Sequence, residues 1–141
     1  MIEETSAGIV LFRKEGTKKM FLLLHYPSGH WDFVKGKMEK GENTRETAIR
    51  ETREETGITD VEFLDNFEEW IQYNFQYKGE LVDKKVVFFL GETKTEEVKI
   101  SEEHLNYAWK EYNEAMEKTT FDNAKTILTK AQELLSKTDG L

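Results

Sequence analysis

Apolar residues recur along this chain with two spacings, and these spacings predict its secondary structure. Alternating or short continuous apolar stretches bounded by polar turns are typical of strands. Such stretches occur at residues 6–12, 20–25, 61–65, 71–77, 85–90 and 105–109. Polar loops or turns are expected at residues 14–18, 26–29, 36–41 and 78–79.

Two helices are predicted, one inside the chain and one near its end. Asn43 followed three residues later by Glu46 resembles a capping box, so the first helix should begin near residue 44. Gly57 is placed to end it in a left-handed conformation. Residues 124–135 carry apolar side chains at i, i+3 and i+4, which indicates an amphipathic helix. Strands with an interior and a terminal helix indicate an α+β fold, in which a mixed sheet lies between helical layers.

Length and composition favour one domain, covering residues 1–141, in the cytoplasm. A chain of 141 residues can bury a sizeable core. It has no stretch near the roughly 18 apolar residues that cross a membrane, and its first residues lack the basic start of a signal peptide. The absence of cysteine excludes disulfides and thiolate metal sites, which suits the cytoplasm.

The net charge of −8 bears on the kind of ligand. Generic nucleic-acid binders neutralise phosphates with Lys and Arg, so this charge disfavours a nucleic-acid partner. If the substrate is a polyphosphate, a cation must lie between it and the acidic protein. The charge therefore points to a bound metal.

Three glutamates of the interior helix share one face. Glu51, Glu54 and Glu55 are spaced i, i+3 and i+4. Like charges at these spacings cost an isolated helix roughly 0.2–0.5 kcal/mol per pair. One interpretation is a site for Mg²⁺ or Mn²⁺, and the other is a solvated charged surface. Arg50 can pair with Glu46 or Glu54, or it can hold a neighbouring carboxylate in place.

The spacing of these residues resembles the Nudix box, G-x5-E-x7-R-E-U-x-E-E-x-G-U, where U is a bulky apolar residue. The matching positions are Gly36, Glu42, Arg50, Glu51, Glu54, Glu55, Gly57 and Ile58. One departure is Thr52, where the pattern has an aliphatic residue, although a threonine methyl can still pack.

The resemblance implies a Nudix fold, an α/β/α sandwich, and metal-dependent hydrolysis of a nucleoside diphosphate linked to another group. It further implies that Glu51, Glu54 and Glu55 bind the cations, that Glu42 supports them, and that Arg50 orients a catalytic glutamate. When bound, the metals would neutralise phosphate charge and activate a water.

Outside the box, much of the chain is similar to asymmetric diadenosine tetraphosphate hydrolases. The similar stretches are residues 6–13, 21–24, 30–31, 35–36, 77–86 and 103–109. That family usually reads Pro-Lys-Gly-His at the start of the box, whereas this chain has Val34 and Lys37 at the outer positions.

The resemblance also suggests which residues bind the base. Tyr73 and Tyr77 lie at roughly the distance after the box where such enzymes have a base-stacking tyrosine. Alternatively, residues 71–77 present a single core face. We assign Phe75 to the core and Tyr77 to the substrate, because Tyr77 ends its strand beside a turn, and we keep both interpretations for Tyr73.

Lysines and one further glutamate complete the candidate site. Lys35 and Lys85 are the favoured phosphate clamps, and the backbone carbonyl of Lys35 is expected to complete the metal shell. Lys37 and Lys84 are weaker candidates. Glu103 precedes a strand where related enzymes have a further metal-binding or basic glutamate, although a solvated loop carboxylate is an equal alternative.

We therefore predict an enzyme that hydrolyses diadenosine tetraphosphate to ATP and AMP with Mg²⁺ or Mn²⁺. We expect a monomer that acts on a small nucleotide, without a membrane or nucleic-acid partner. The alternatives are a Nudix enzyme for another substrate, such as the 5′ triphosphate end of RNA or an oxidised nucleotide, and a catalytically silent nucleotide-binding module. A third alternative is a scaffold whose acidic helix is merely solvated.

Overall fold

The computed structural model describes residues 1–139, which form one mixed sheet and three helices. In chain order the elements are β1 (Ile2–Glu15), β2 (Lys18–His25), β3 (Trp31–Asp32), β4 (Val34–Lys37), α1 (Thr44–Thr56), β5 (Glu62–Tyr77), β6 (Glu80–Glu92), β7 (Asn106–Lys110), α2 (Tyr112–Lys118) and α3 (Asp122–Asp139).

Strand β1 organises the sheet because it pairs along both of its edges. On one edge it runs parallel to β6 from Ile2, opposite Val82, to the end of β6. On the other edge its first half pairs antiparallel with β4 and its second half with β2. Strand β4 therefore lies beside the middle of β1, just before the point where β2 replaces it as the neighbour of β1.

Each face of the sheet buries its own core. Alternate side chains of β1, such as Ile9, pack with Ala48 of α1 on one face. The intervening side chains, such as Val10 and Phe12, pack with α2 and α3 on the other face. The predicted mixed sheet between helical layers is confirmed.

The caps of α1 follow the sequence prediction closely. The Asn43 side chain accepts the Glu46 N–H at 2.8 Å, and the Glu46 carboxylate accepts the Asn43 N–H at 3.0 Å. Gly57 has φ 77° and donates its N–H to the Arg53 carbonyl. Nearby residues thus make hydrogen bonds with the backbone at both ends of α1. These caps fix where the helix begins and ends, and therefore the direction in which its glutamates point.

Several predicted elements differ in extent. The stretches 61–65 and 71–77 belong to one long strand, β5, whose pairing with β6 is irregular between Phe63 and Glu68, where Asn66 has φ 66°. The loop expected at 36–41 begins later, because Gly36 and Lys37 pair with β1. The short elements β3, β4 and α2 were not predicted, since none is long enough to show a period.

No helix within residues 1–139 is long and apolar enough to cross a membrane.

Candidate active site

Arg50 is the centre of a network at the exposed side of α1. Its Nε donates to Glu42 at 2.6 Å, and its Nη1 donates to Glu51 at 2.8 Å and to Glu54 at 3.2 Å. Its Nη2 donates to the carbonyl oxygen of Lys37 at 2.9 Å. The planar guanidinium thus holds three carboxylates and the end of β4 in one arrangement.

Glu42 is fixed on Arg50. Besides Arg50, its carboxylate accepts the Glu39 N–H at 2.9 Å and the Thr47 hydroxyl at 2.9 Å. The hydrogen bond from Arg50, with the one from Glu39, lowers the pKa of Glu42 to about 2. Glu42 does not line the cavity described in the next paragraph, so any effect of Glu42 on a metal there would have to act through Arg50.

A cavity of about 330 Å³ lies where α1 meets the loop before β7. Its lining side chains are Glu51, Glu54, Glu55, Ser101, Glu102 and Glu103. The structure therefore brings Glu103 to the three helical glutamates, from about fifty positions further along the chain.

Glu55 is the buried member of this acidic cavity. It is 5% exposed, and its Oε2 makes no hydrogen bond within residues 1–139. Burial, then a hydrogen bond with Glu51 and the charges of Glu51, Glu103 and Glu54, raises the pKa of Glu55 far above its ordinary value. A negative charge on Glu55, buried beside the other carboxyl groups, is costly unless a cation compensates it.

Gly36 allows β4 to approach this cavity. A Cβ at position 36 would lie 2.1 Å from the Glu51 Cδ and 2.3 Å from its Oε1. Only a glycine leaves room for the Glu51 carboxylate against the strand. Gly36 lies opposite Ala7 on β1, so the position of Glu51 is set by the sheet as well as by α1.

The donor set fits a hard divalent cation. Carboxylate oxygens are the ligands that Mg²⁺ and Mn²⁺ prefer, and the Oε2 of Glu55 makes no hydrogen bond to the described part of the chain. Within residues 1–139, however, no three such side chains are already arranged to hold an ion. Glu51 accepts a hydrogen bond from Arg50, so metal binding here would require Glu51 or its neighbours to rotate.

A second cavity, of about 380 Å³, lies on the face of the sheet that packs against α3. Its lining residues are Asp32, Lys35, Ile71, Tyr73, Phe88, Phe121, Asp122, Asn123 and Ala124. Tyr73 and Phe121 are 39% and 50% exposed, so two aromatic rings face this space from β5 and from the start of α3. We call it the aromatic cavity.

Adjacent residues of β4 lie next to the aromatic cavity and to a carboxylate of the acidic cavity. The Lys35 side chain lines the aromatic cavity and donates to Asp32 at 2.9 Å. Gly36, the next residue, faces Glu51 on the other side of the strand. A chain of phosphates that passes the edge of β4 would therefore reach both Lys35 and the acidic cavity.

Comparison with known proteins establishes the family. The family model named NUDIX domain matches residues 3–131. The chain belongs to the Nudix family. The asymmetrical bis(5′-nucleosyl)-tetraphosphatase of Mus musculus is 34% identical over 145 residues, which cover 94% of this chain and 96% of that protein. RNA pyrophosphohydrolase of Caulobacter vibrioides is 32% identical over 121 residues, covering 74% and 69%.

A solved Nudix structure agrees with the fold. The crystal structure of a C. elegans Ap4A hydrolase binary complex is similar with a TM-score of 0.81 at 30% identity, and the match covers 95% of this chain and 98% of that chain. The Nudix fold expected from the sequence is confirmed. Members of the family generally use divalent metals.

The Nudix box departure at Thr52 is accommodated inside the helix. Thr52 is buried, and its hydroxyl donates to the Ala48 carbonyl at 2.7 Å. The polar atom is thereby satisfied, and the methyl group is left to pack as an aliphatic residue does.

The structure separates the candidate base-binding residues. Tyr73 lines the aromatic cavity, whereas Tyr77 lies four residues further along β5, roughly 13 Å away, and does not. The geometry therefore does not support the expectation that Tyr77 contacts a base bound in the aromatic cavity of its own chain. Phe75 is 37% exposed, so its assignment to the core was wrong. Within residues 1–139, Phe75 belongs to neither of the two core clusters.

The lysines also divide between the two faces of the sheet. Lys84 and Lys37 both pair with Glu4, at 3.4 and 2.9 Å, on the face of the aromatic cavity. Lys85 points to the opposite face and lies over the Trp70 ring at 4.6 Å. The geometry therefore favours Lys84 over Lys85 as a neighbour of the substrate.

Sequence reasoning missed several residues that complete the two cavities. His104 is buried behind the acidic cavity with its Nε2 3.7 Å from the Glu55 Oε2, and Phe121 closes the aromatic cavity. Burial lowers the pKa of His104. Of the other histidines, His25 stacks on Trp31 at 4.4 Å and His30 on Tyr26 at 4.7 Å, which are packing roles.

Proposed function

We propose that this Nudix protein hydrolyses dinucleoside polyphosphates, and diadenosine tetraphosphate in particular, to ATP and AMP with Mg²⁺ as the metal and Mn²⁺ as a substitute. The observation that carries the proposal is the placement of adjacent β4 residues, with Lys35 lining the aromatic cavity and Gly36 against Glu51 of the acidic cavity. The name and the near-complete overlap of the mouse relative support the choice of substrate.

The metal would be held by Glu51, Glu54 and Glu55, with Glu103 lining the same cavity. The backbone carbonyl of Lys35 is a further candidate ligand, because the next residue, Gly36, lies against Glu51. A divalent cation there would neutralise phosphate charge, lower the pKa of a water molecule and stabilise charge on the phosphoryl oxygens. Its double charge also offsets the repulsion within the acidic cavity, so the raised pKa of Glu55 is a property of the metal-free site.

Residues outside the acidic cavity would position the substrate. Tyr73 and Phe121 supply two ring faces for one adenine, and stacking of a base on an aromatic ring contributes roughly 1–3 kcal/mol. Lys35 and Lys84 lie on the same face and would contact phosphates between the base and the metal. Either lysine would have to exchange its present carboxylate partner for a phosphate.

Bond making and breaking follow from this placement. The oxygen of a water bonds to the phosphorus of the fourth phosphate, the bond from that phosphorus to the bridging oxygen breaks, and ATP leaves with the bridging oxygen while AMP keeps the water oxygen. A carboxylate at the cavity accepts the water proton. Glu54, Glu102 and Glu103 are the exposed carboxylates of the acidic cavity, and we assign the proton to Glu54 or Glu103. Arg50 and Glu42 are positioning residues.

The test is product analysis with wild-type protein and with Glu54→Gln, each with and without Mg²⁺. We expect ATP and AMP in equal amounts from the wild type with Mg²⁺ and a loss of about two or more orders of magnitude in kcat for Glu54→Gln. Nucleotide binding without turnover would establish a silent binding module. Unchanged activity with improved stability would show that the acidic face is merely solvated.

Triphosphorylated RNA is the second substrate to include, because the Caulobacter relative is an RNA pyrophosphohydrolase. The kcat/KM for pyrophosphate release from that RNA is compared with the kcat/KM for ATP release from the dinucleotide. A higher value for the RNA would show that RNA, and not the dinucleotide, is the preferred substrate. The predictions of one domain over residues 1–141 and of a cytoplasmic location stay predictions.

A further inference from the structure

The outer edge of β5 is an exposed strand edge. Within residues 1–139 β5 pairs with β6 alone. Its last eight residues, 70–77, carry no charge, and Trp70 and Tyr77 are 55% and 60% exposed. Proteins usually protect such edges with charges, proline or a covering element. Residues 70–77 contain neither a charged residue nor a proline.

The hairpin turn determines which backbone groups point outward. Lys78 and Gly79 have φ 51° and 81°, as in a two-residue type I′ turn, and Tyr77 faces Glu80 across it. The pair that flanks such a turn exchanges hydrogen bonds, and outward-facing residues alternate with inward-facing ones. The N–H and C=O groups of Gln72, Asn74 and Gln76 therefore face away from β6.

We propose that two copies of this chain associate by antiparallel pairing of residues 70–78, about a two-fold axis at Asn74. In this register Asn74 lies opposite the partner's Asn74, and Gln72 lies opposite the partner's Gln76. These are the outward-facing residues, so their backbone groups are the ones available to bond.

Side chains match across the same axis. Opposite residues of an antiparallel pair share a face of the sheet. On the face of the aromatic cavity, Ile71 meets the partner's Tyr77, and Tyr73 meets the partner's Phe75. On the other face, the amides meet each other.

Charge selects this register over its neighbours. Glu68 and Glu69 immediately precede the uncharged segment, and Glu69 already pairs with Lys130 of α3 at 2.7 Å. A shift of the axis to Gln72 would bring both acidic residues into the paired region, and a shift to Gln76 would leave only about five residues paired. Pairing about Asn74 uses the whole uncharged segment and excludes the acidic one.

The association would complete the aromatic cavity, a consequence that depends on the proposed function. Ile71 lines that cavity. The partner's Tyr77 would stand beside Ile71 and close its open side, so Tyr77 would act in the other copy's site. One strand edge buries little area, so we expect the monomer predicted from the sequence at low protein concentration and a reversible dimer at higher concentration.

Cross-linking tests the register directly, because the chain contains no cysteine. In Asn74→Cys the two Cα atoms would be about 5.5 Å apart, within the range of a disulfide. In Gln76→Cys, equally exposed on the same edge, they would be more than about 13 Å apart. We expect Asn74→Cys to form a dimer under mild oxidation at least about tenfold faster than Gln76→Cys.

Equal cross-linking of both variants would show unspecific contact and overturn the register, and cross-linking of neither would overturn the association. Sedimentation of the wild type, Asn74→Glu and Asn113→Glu provides a second measurement. Asn74→Glu sets two carboxylates face to face and should stay monomeric, whereas Asn113→Glu makes the same change on exposed α2 and should associate like the wild type.

Neither measurement uses a substrate, so failure of the proposed function leaves them unaffected. If the dimer forms, the KM for the dinucleotide should fall as protein concentration rises in the wild type and stay constant in Asn74→Glu. A constant KM in both, with cross-linking at Asn74, would retain the dimer and remove Tyr77 from the aromatic cavity.

Discussion

Adding one methyl group at Gly36 tests whether the position of the Glu51 carboxylate controls the reaction. The new Cβ would lie 2.1 Å from the Glu51 Cδ and 2.5 Å from its Oε2. Ordinary contact needs about 3.5 Å, so the carboxylate must move by about 1 Å or more. The obstructing atoms are the end of a flexible side chain, so the side chain gives way and the strand stays in place.

A displacement of this size is large for catalysis and small for folding. Misplacement by 1 Å can reduce a rate about 100-fold, which corresponds to about 2.7 kcal/mol in the barrier. Position 36 lacks a positive φ, so alanine is compatible with its backbone. We expect Gly36→Ala to reduce kcat about 100-fold while its free energy of unfolding changes by less than about 1 kcal/mol.

Gly16→Ala is the matched control. Gly16 has φ 63° in the β1–β2 turn, and a Cβ there meets nothing within 4 Å. Gly16→Ala should lose about 1 kcal/mol of stability and keep its kcat, whereas Gly36→Ala should lose activity and keep its stability. Steady-state kinetics at saturating Mg²⁺ and urea unfolding measure both quantities. A wild-type kcat in Gly36→Ala would refute the placement of Glu51 at the reacting phosphate.

Further variants address the remaining parts of the site. Tyr73→Ala should raise the KM for the dinucleotide about tenfold with a smaller change in kcat, and Phe121→Ala should act likewise; a change confined to kcat would contradict stacking. Arg50→Lys should lower kcat strongly, because one ammonium cannot hold three carboxylates; normal kinetics would contradict the network. Because the pKa of Glu42 is depressed to about 2, its contribution to stability is complete above pH 4.5 and is lost as the pH falls toward 2. The free energy of unfolding, measured with urea between pH 2 and 5, should depend less steeply on pH in Arg50→Lys than in the wild type. An equal dependence in both proteins would contradict the Arg50–Glu42 contact.

Features set by neighbours in sequence were predictable. The caps of α1 depend on Asn43, Glu46 and Gly57 alone, and the shared face of its glutamates depends only on helical spacing. Arg50 shows the limit of such reasoning, because Glu46, one of its two candidate partners, is already occupied by the capping box. Its third carboxylate partner, Glu42, precedes the helix.

Features set by distant parts of the chain were not predictable. Tyr77 was preferred to Tyr73 from its position at a strand end, but the start of α3 decides where the aromatic cavity lies. Phe121 could have been noticed as an exposed aromatic residue at a helix start, although nothing local links it to β5. The burial of His104 behind Glu55 likewise depends on how the loop before β7 meets α1.

The pairing of β1 with β6 has a consequence for synthesis of the protein. Residue 2 lies beside residue 82, and this offset of eighty positions persists along the pair. A ribosome must therefore add about eighty residues after each position of β1 before the centre of the sheet can assemble, and contacts so far apart in sequence form slowly. Nascent chains released early would expose β1 without its long partner, and we expect them to be captured by chaperones or proteases before they can bind any nucleotide.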